Sequence, residues 1–178
     1  IHFTFIVDKG GAEAARRSWI WEPSTGAATR IVGDEKLAFT FGAPKTEAEK
    51  KADSQLINDL FWLAPPLQLQ WSTPPALTVT EEGAAALPFG EGEAKKVVMA
   101  YAPSAGGYTP GDAYDLYVDA EGHLVAWTYR KGGGEPTLST SFERYVDAGP
   151  LHIATDHRAP DGSLRVQTTD VKVETRAP

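Results

Sequence analysis

One stretch, Asp53 to Trp71 (DSQLINDLFWLAPPLQLQW), departs from the pattern of the rest of the chain and limits what that chain can fold into. Leu56, Ile57, Leu60, Phe61, Trp62 and Leu63 recur at helical spacing and stop at Pro65-Pro66, whereas the flanking sequence reads as short strands and tight turns. A helix among antiparallel strands buries its apolar stripe by lying on a sheet. The stretch therefore predicts a helix that fills or lids the concave face of one.

Before this stretch the alternation has the period of strands. His2 to Val7 sets Phe3, Phe5 and Val7 against His2, Thr4 and Ile6, and Asp8-Lys9-Gly10-Gly11 forms a turn. Arg17 to Glu22 places Trp19 and Trp21 on one side of the pleat, Ala27 to Val32 follows, and Lys36 to Phe41 aligns Leu37, Phe39 and Phe41. From Pro44 the composition turns to Lys, Glu and Ala, and Thr46-x-x-Glu49 has the form of a capping box; the charged residues through Lys51 fit either a helical turn or a loop feeding a shorter helix, Ser54 to Phe61.

Beyond the helix, Leu77 to Thr80 reads as a short strand amid turns that run from Glu81 to Glu93. A meander follows: Lys96 to Tyr101, Asp112 to Asp119, His123 to Arg130, Leu138 to Val146, Leu151 to Arg158 and Leu164 to Glu174. About ten strands at this spacing imply a barrel, a sandwich or a strongly curved sheet. The 178 residues form most simply one domain, 1–178.

Several chemistries find no support. A net charge of −7 with scattered Lys and Arg argues against a nucleic-acid surface, and the absence of cysteine removes disulfides, thiolate metal sites and thiol nucleophiles. His152 and His157, five apart, fall on opposite faces of a strand, and no His-Glu-x-x-His or Gly-x-Ser-x-Gly pattern exists, so no metal ligand, catalytic residue or cofactor is assigned. Gly106-Gly107 and Gly132-Gly133-Gly134 open no helix and read as turns. Asp112, Asp115 and Asp119 lack calcium-loop spacing and read as a solvated strand edge.

Thr109-Pro110-Gly111-Asp112 fits a turn with proline second and glycine third. Asp112 then shares a face with Tyr114, either as a polar group at a pocket mouth or as a turn residue accepting backbone hydrogen bonds. Aromatic residues on a curved sheet pack a core or line an apolar cavity. The candidate lining is Phe3, Phe5, Trp19, Trp21, Phe39, Leu56, Leu60, Trp62, Tyr101, Tyr114 and Trp127, with Asp112 at the mouth.

Two motifs carry a resemblance. Asn58-Asp59-Leu60-Phe61-Trp62-Leu63, followed by Pro66-Leu67-Gln68-Leu69, is the first; Tyr108-Thr109-Pro110-Gly111-Asp112-Ala113-Tyr114, with Trp127 on the next strand, is the second. Together they resemble a group of uncharacterised bacterial envelope proteins similar in fold to the LolA/LolB-like lipoprotein carriers. The resemblance spans Trp19 to about Thr169 and implies a mainly β fold: a strongly curved antiparallel sheet, or half-barrel, with a helix-containing lid over a hydrophobic cavity. It further implies a non-enzymatic domain of the periplasm or outer membrane, peripheral or lipid-anchored, whose partner is a hydrophobic ligand such as an acyl chain or a lipoprotein. A helix that such proteins place before the first strand, and any signal or anchor segment, would lie upstream of Ile1. The arginine that the carriers use inside the barrel matches no arginine by motif here, so lipoprotein trafficking is not carried over. The alternative reading is a structural or protein-interaction module of the envelope with a packed interior, whose partner binds a sheet edge or the segment Glu81 to Glu93.

Overall fold

The computed structural model describes residues 1–65, 77–104 and 109–175. The chain is mainly β, with two antiparallel sheets and one α-helix among the described residues. The first four strands are β1 (His2–Lys9), β2 (Ala12–Glu22), β3 (Ala27–Val32) and β4 (Glu35–Thr40); helix α1 (Glu47–Leu63) follows. Next come β5 (Leu77–Ala86), β6 (Glu93–Tyr101), β7 (Ala113–Val118), β8 (Leu124–Arg130) and β9 (Leu138–Ser141). The last three are β10 (Glu143–Ala148), β11 (Leu151–Arg158) and β12 (Leu164–Lys172). The seven-stranded sheet runs β10-β11-β12-β1-β2-β3-β4, and the five-stranded sheet runs β5-β6-β7-β8-β9.

The single curved sheet of about ten strands that the resemblance implied is corrected, among the described residues, to twelve strands in two sheets. The expected strand Leu138 to Val146 is where the sequence misleads. Its ladder breaks at Phe142, whose N–H donates to Val125 O at 2.9 Å, and Arg144 takes a left-handed φ of 57°. That conformation is costly for a residue with a Cβ and marks a local departure from regular strand geometry. The chain leaves one sheet and enters the other across these residues. A second correction concerns Glu81 to Glu93. Six of those positions, Glu81 to Ala86, belong to β5, which pairs with β6 through an irregularity between Glu81 and Gly83. A third is β2, which begins at Ala12 rather than Arg17 and pairs with β1 as far as Lys9↔Ala12.

The chain clusters into two compact units: Ile1–Pro65 with Arg144–Asp156 and Ser163–Pro178, and Pro66–Glu143 with His157–Gly162. In the first, α1 packs on the seven-stranded sheet. The helix forms in full because its capping box is real: Glu49 N–H donates to Thr46 Oγ1 at 3.2 Å, and Glu49 Oε2 accepts from Thr46 N–H at 3.1 Å. Ala64 N–H closes the last turn on Leu60 O at 3.0 Å before the prolines forbid continuation. Leu56 and Leu60 are fully buried, each contributing roughly 1.5–3 kcal/mol by removal from water.

In the same unit β1 has both faces covered: Phe3, Thr4, Phe5 and Ile6 are all buried, so it reads as a central strand rather than a half-exposed one. Gly149, in the β10–β11 turn, has φ 59°, and a Cβ there would lie 2.6 Å from Val173 O. Only glycine satisfies both conditions at once.

The second unit holds the five-stranded sheet. Pairings Met99↔Tyr114, Tyr114↔Tyr129 and Trp127↔Thr140 place Met99, Tyr114, Leu116, Trp127 and Tyr129 on one face. The opposite face carries a small cluster of Ala94, Tyr117 and Ala126, against which Leu87, Phe89 and Val125 pack.

Candidate functional site

The residues assigned from sequence as a ligand lining fall into two groups, one in each unit. Phe3, Phe5, Trp19, Trp21, Phe39, Leu56, Leu60 and Trp62 lie in the first, all buried. Tyr101, Tyr114, Trp127 and Asp112 lie in the second.

Within the first unit the register aligns Phe3↔Trp19, Phe5↔Arg17, Trp21↔Ala28 and Ala28↔Phe39, so these side chains share the sheet face on which α1 lies. Trp19 meets Phe39 edge-on at 6.4 Å between ring centroids, and Trp21 meets Phe41 at 5.5 Å. A polar group sits among them. Asp59, on α1 and 0% exposed, accepts from Arg17 Nε at 2.6 Å and from Arg17 Nη2, and also from the Trp19 indole N–H at 2.7 Å. Asn58 Nδ2 adds a fourth donor at 3.1 Å. The Arg17 guanidinium lies 4.9 Å from the Phe5 ring centroid. Burial pushes the Asp59 carboxyl above its ordinary value, against the opposing pull of Arg17. The helix is held at one position along the sheet, because a carboxylate removed from water tolerates no shift that breaks these bonds. Asp53, also buried, accepts from Gly42 N–H at 2.7 Å and ties the helix to the chain after β4. Its carboxyl is likewise raised by burial.

Sequence reasoning missed this constellation. The available signal was a carboxylate inside an apolar helical run, with an arginine two residues from a tryptophan on a strand; their separation of 42 positions hides the pairing.

In the second unit an aromatic row crosses the five-stranded sheet. Tyr101 meets Tyr114 at 6.2 Å, Tyr114 meets Trp127 and Tyr129 at 5.3 Å each, and Trp127 meets Phe142 at 5.6 Å. Phe142 continues to His157 at 4.3 Å. The row has a polar end. The turn before β7 closes as expected, with Asp112 N–H donating to Thr109 O at 3.1 Å and Gly111 at φ 82°. Asp112 then accepts from the Tyr129 hydroxyl at 2.9 Å and from Gly132 N–H at 2.8 Å. The turn-residue role weighed for Asp112 is thus present, through a backbone donor 20 positions away. Burial, and then the Asp112 carboxylate, push the Tyr129 phenol up to about 12. Burial raises Tyr114 as well.

Asp115 corrects an expectation. It is buried on the central strand of the five-stranded sheet, not solvated at an edge. Arg130 Nε and Nη2 reach its Oδ1 at 3.1 and 2.9 Å, and Lys96 Nζ reaches Oδ2 at 3.3 Å while also meeting Glu82 at 3.0 Å. The expectation failed because alternation alone does not reveal which strands lie inside a sheet. His152 and His157 do face apart: His152 stacks on Tyr145 at 4.9 Å and bonds Asp147, whereas His157 is buried against Phe142.

No helix among the described residues is long and apolar enough to cross a membrane. The motif residues Pro66-Leu67-Gln68-Leu69 and Tyr108 lie outside the described residues.

No protein-family model and no curated protein matches the sequence. Solved structures do match in fold. A LolA superfamily protein from Nitrosomonas europaea superposes with a TM-score of 0.54 at 9% identity, covering 99% of this chain and 86% of that one. A DUF1329 family protein from Desulfovibrio piger superposes with a TM-score of 0.50 at 9% identity, covering 99% and 87%. At that identity the likeness is one of fold, and it agrees with the LolA-like resemblance read from the two motifs.

Proposed function

Starting from a LolA-like fold, we propose that this protein is a non-enzymatic component of the bacterial cell envelope, periplasmic or peripheral to the outer membrane, that holds a hydrophobic ligand such as an acyl chain. The observation that supports this reading most is the aromatic row of Tyr101, Tyr114, Trp127 and Phe142. A run of rings on one sheet face offers an apolar wall that ends in a few polar groups, an arrangement that proteins use to line and orient apolar ligands. The first unit supplies the rigid part of the scaffold, because its helix is fastened by Arg17 and Trp19 through Asp59.

Native mass spectrometry of protein made in a bacterial host, followed by organic extraction, tests the reading. A stoichiometric lipid is the expected result. A folded protein that carries none, and that fails to take up a fluorescent acyl probe, would overturn it.

The second reading is a structural or protein-interaction module of the envelope. Its support is the complete burial of Phe3, Trp19, Leu56 and Leu60 between helix and sheet in the first unit, which is how a packed core looks. Equal hydrogen-exchange protection with and without added lipid, together with an apo mass, would favour it.

A further inference from the structure

Polarity changes in the same direction along three neighbouring strands of the five-stranded sheet. On β7 and the turn before it, Asp112 is followed on the same face by Tyr114 and then Leu116. On β8 the partner sequence runs from Tyr129 to Trp127, and on β6 from Tyr101 to Met99. Tyr101 stands opposite Asp112, its N–H donating to Asp112 O at 2.9 Å. One end of this face therefore gathers a carboxylate and three phenol rings, and the adjoining part gathers Met99, Leu116 and Trp127, all buried.

Among the described residues, the carboxylate at the phenol end is met by neutral donors. Asp112 is half-buried, and its two hydrogen bonds come from neutral donors, the Tyr129 hydroxyl and Gly132 N–H. Among the described residues no cation forms an ion pair with it. Arg130 beside it is turned to Asp115 and Gly133 O. Three buried acids elsewhere in this chain are matched by cations, Asp59 by Arg17, Asp115 by Arg130 and Lys96, and Asp156 by Arg165, while Asp53 accepts from Gly42 N–H. The charge of Asp112 acts on the phenols of both Tyr114 and Tyr129. Each carboxylate oxygen retains a lone pair after accepting one bond. The faces of phenol rings are electron-rich and attract a cation placed within about 6 Å of the centroid.

We infer that Asp112, with the rings of Tyr101, Tyr114 and Tyr129, recognises an ammonium head group. The ligand is an amphiphile that sets its cationic head at Asp112 and its apolar chain toward Met99, Leu116 and Trp127. In the amphiphile form the inference rests on the hydrophobic-ligand reading above. The ammonium site itself is independent of that reading, because its attraction is electrostatic. A free ammonium compound and a lipid head group share the chemistry, and the experiment separates them.

Calorimetric titration compares lysophosphatidylethanolamine with lysophosphatidylglycerol of the same acyl length, below their critical micelle concentrations. Choline alone is titrated in parallel while the ring resonances of the tyrosines are followed by NMR. The expected result is about a tenfold preference for the amine head, the effect of a contact of roughly 1.4 kcal/mol. D112N abolishes that preference, by weakening the binding of the amine head and relieving the repulsion of the anionic one. Choline shifts the resonances of Tyr101 and Tyr129 in the native protein and not in D112N.

Equal affinity for the two heads, or a preference retained in D112N, would overturn the inference. Choline binding as tight as that of either lysolipid would assign the site to a free ammonium compound. If neither lysolipid binds but choline does, the hydrophobic-ligand reading fails and the ammonium site stands; if both lysolipids bind equally and choline does not, the reverse holds. Should D112N lose its far-ultraviolet circular dichroism, Tyr101→Ala is the substitute, with loss of the choline shifts expected and their retention counting against the site.

Discussion

Asp59 and Asp115 are both buried carboxylates facing an arginine, yet they sit in opposite circumstances. Asp59 is 0% exposed and depends on a single guanidinium, an indole N–H and an amide, all within the helix–sheet interface of the first unit. Asp115 has two cations, Arg130 and Lys96, whose side chains remain 23% and 21% exposed. When a partner is lost, Arg130 and Lys96 can turn to water, whereas Arg17, 12% exposed, cannot do so without moving the helix. The first pair locates an element; the second joins strands that backbone hydrogen bonds already hold.

The largest effect that tests this contrast is Asp59→Ala. It leaves Arg17 buried without its acid and is expected to cost about 3–5 kcal/mol in urea denaturation. Replacing both partners, as in the double variant Arg17→Met with Asp59→Leu, should restore most of that loss, because well-packed apolar groups often substitute for a buried pair without penalty. If the double variant is as unstable as the single one, Asp59 matters through something other than the charge it leaves behind.

Asp115→Ala should cost less, about 1–2 kcal/mol, since the abandoned cations are partly solvated. A loss equal to that of Asp59→Ala would erase the distinction between the two sites. Next is Thr46→Ala, which removes one half of the capping box and is expected to cost about 1 kcal/mol without moving the helix along the sheet.

The smallest effect concerns pH. Burial raises the carboxyls of Asp53 and Asp59 above their ordinary values. An acid with a raised folded value binds protons more readily in the native state, so its contribution to stability falls as pH rises from the ordinary carboxylate value through the raised one. Asp53→Asn keeps an oxygen for Gly42 N–H and removes that charge. The denaturation midpoint of this variant should therefore fall less steeply with pH across that window. An unchanged slope would mean that Asp53 does not titrate differently on folding.

Much of the local structure was legible in the residues. Thr46-x-x-Glu49 marks the helix start and Pro65-Pro66 its stop, and Thr109-Pro110-Gly111-Asp112 specifies its turn, because capping and turn chemistry act over three or four positions. Alternation grouped Phe3 with Phe5, Trp19 with Trp21, and Phe39 with Leu37 and Phe41, each within its own strand; the register between strands then brings Phe3, Phe5, Trp19 and Phe39 to one sheet face. The division into two sheets was not legible, because the run Leu138 to Val146 has strand composition throughout and nothing local signals the break at Phe142. Nor was the burial of Asp115, since an acid between two apolar neighbours has the same pattern at an edge as at the centre.

The sequence by itself determined the kind and order of most elements, the bounds of the helix, the turn before β7, and the LolA-like resemblance carried by two short motifs. Only the tertiary structure decided which charges meet. Arg17 finds Asp59 across 42 residues, Asp112 finds Tyr129 across 17, and Arg165 finds Asp156 across nine. Side-chain periodicity is set by bonds between neighbours in the chain, but the partner of a buried charge is set by strand order and helix placement. Those arise only when the apolar faces have closed together, leaving Asp59, Asp115 and Asp156 each beside a particular base and Asp112, among the described residues, beside neutral donors.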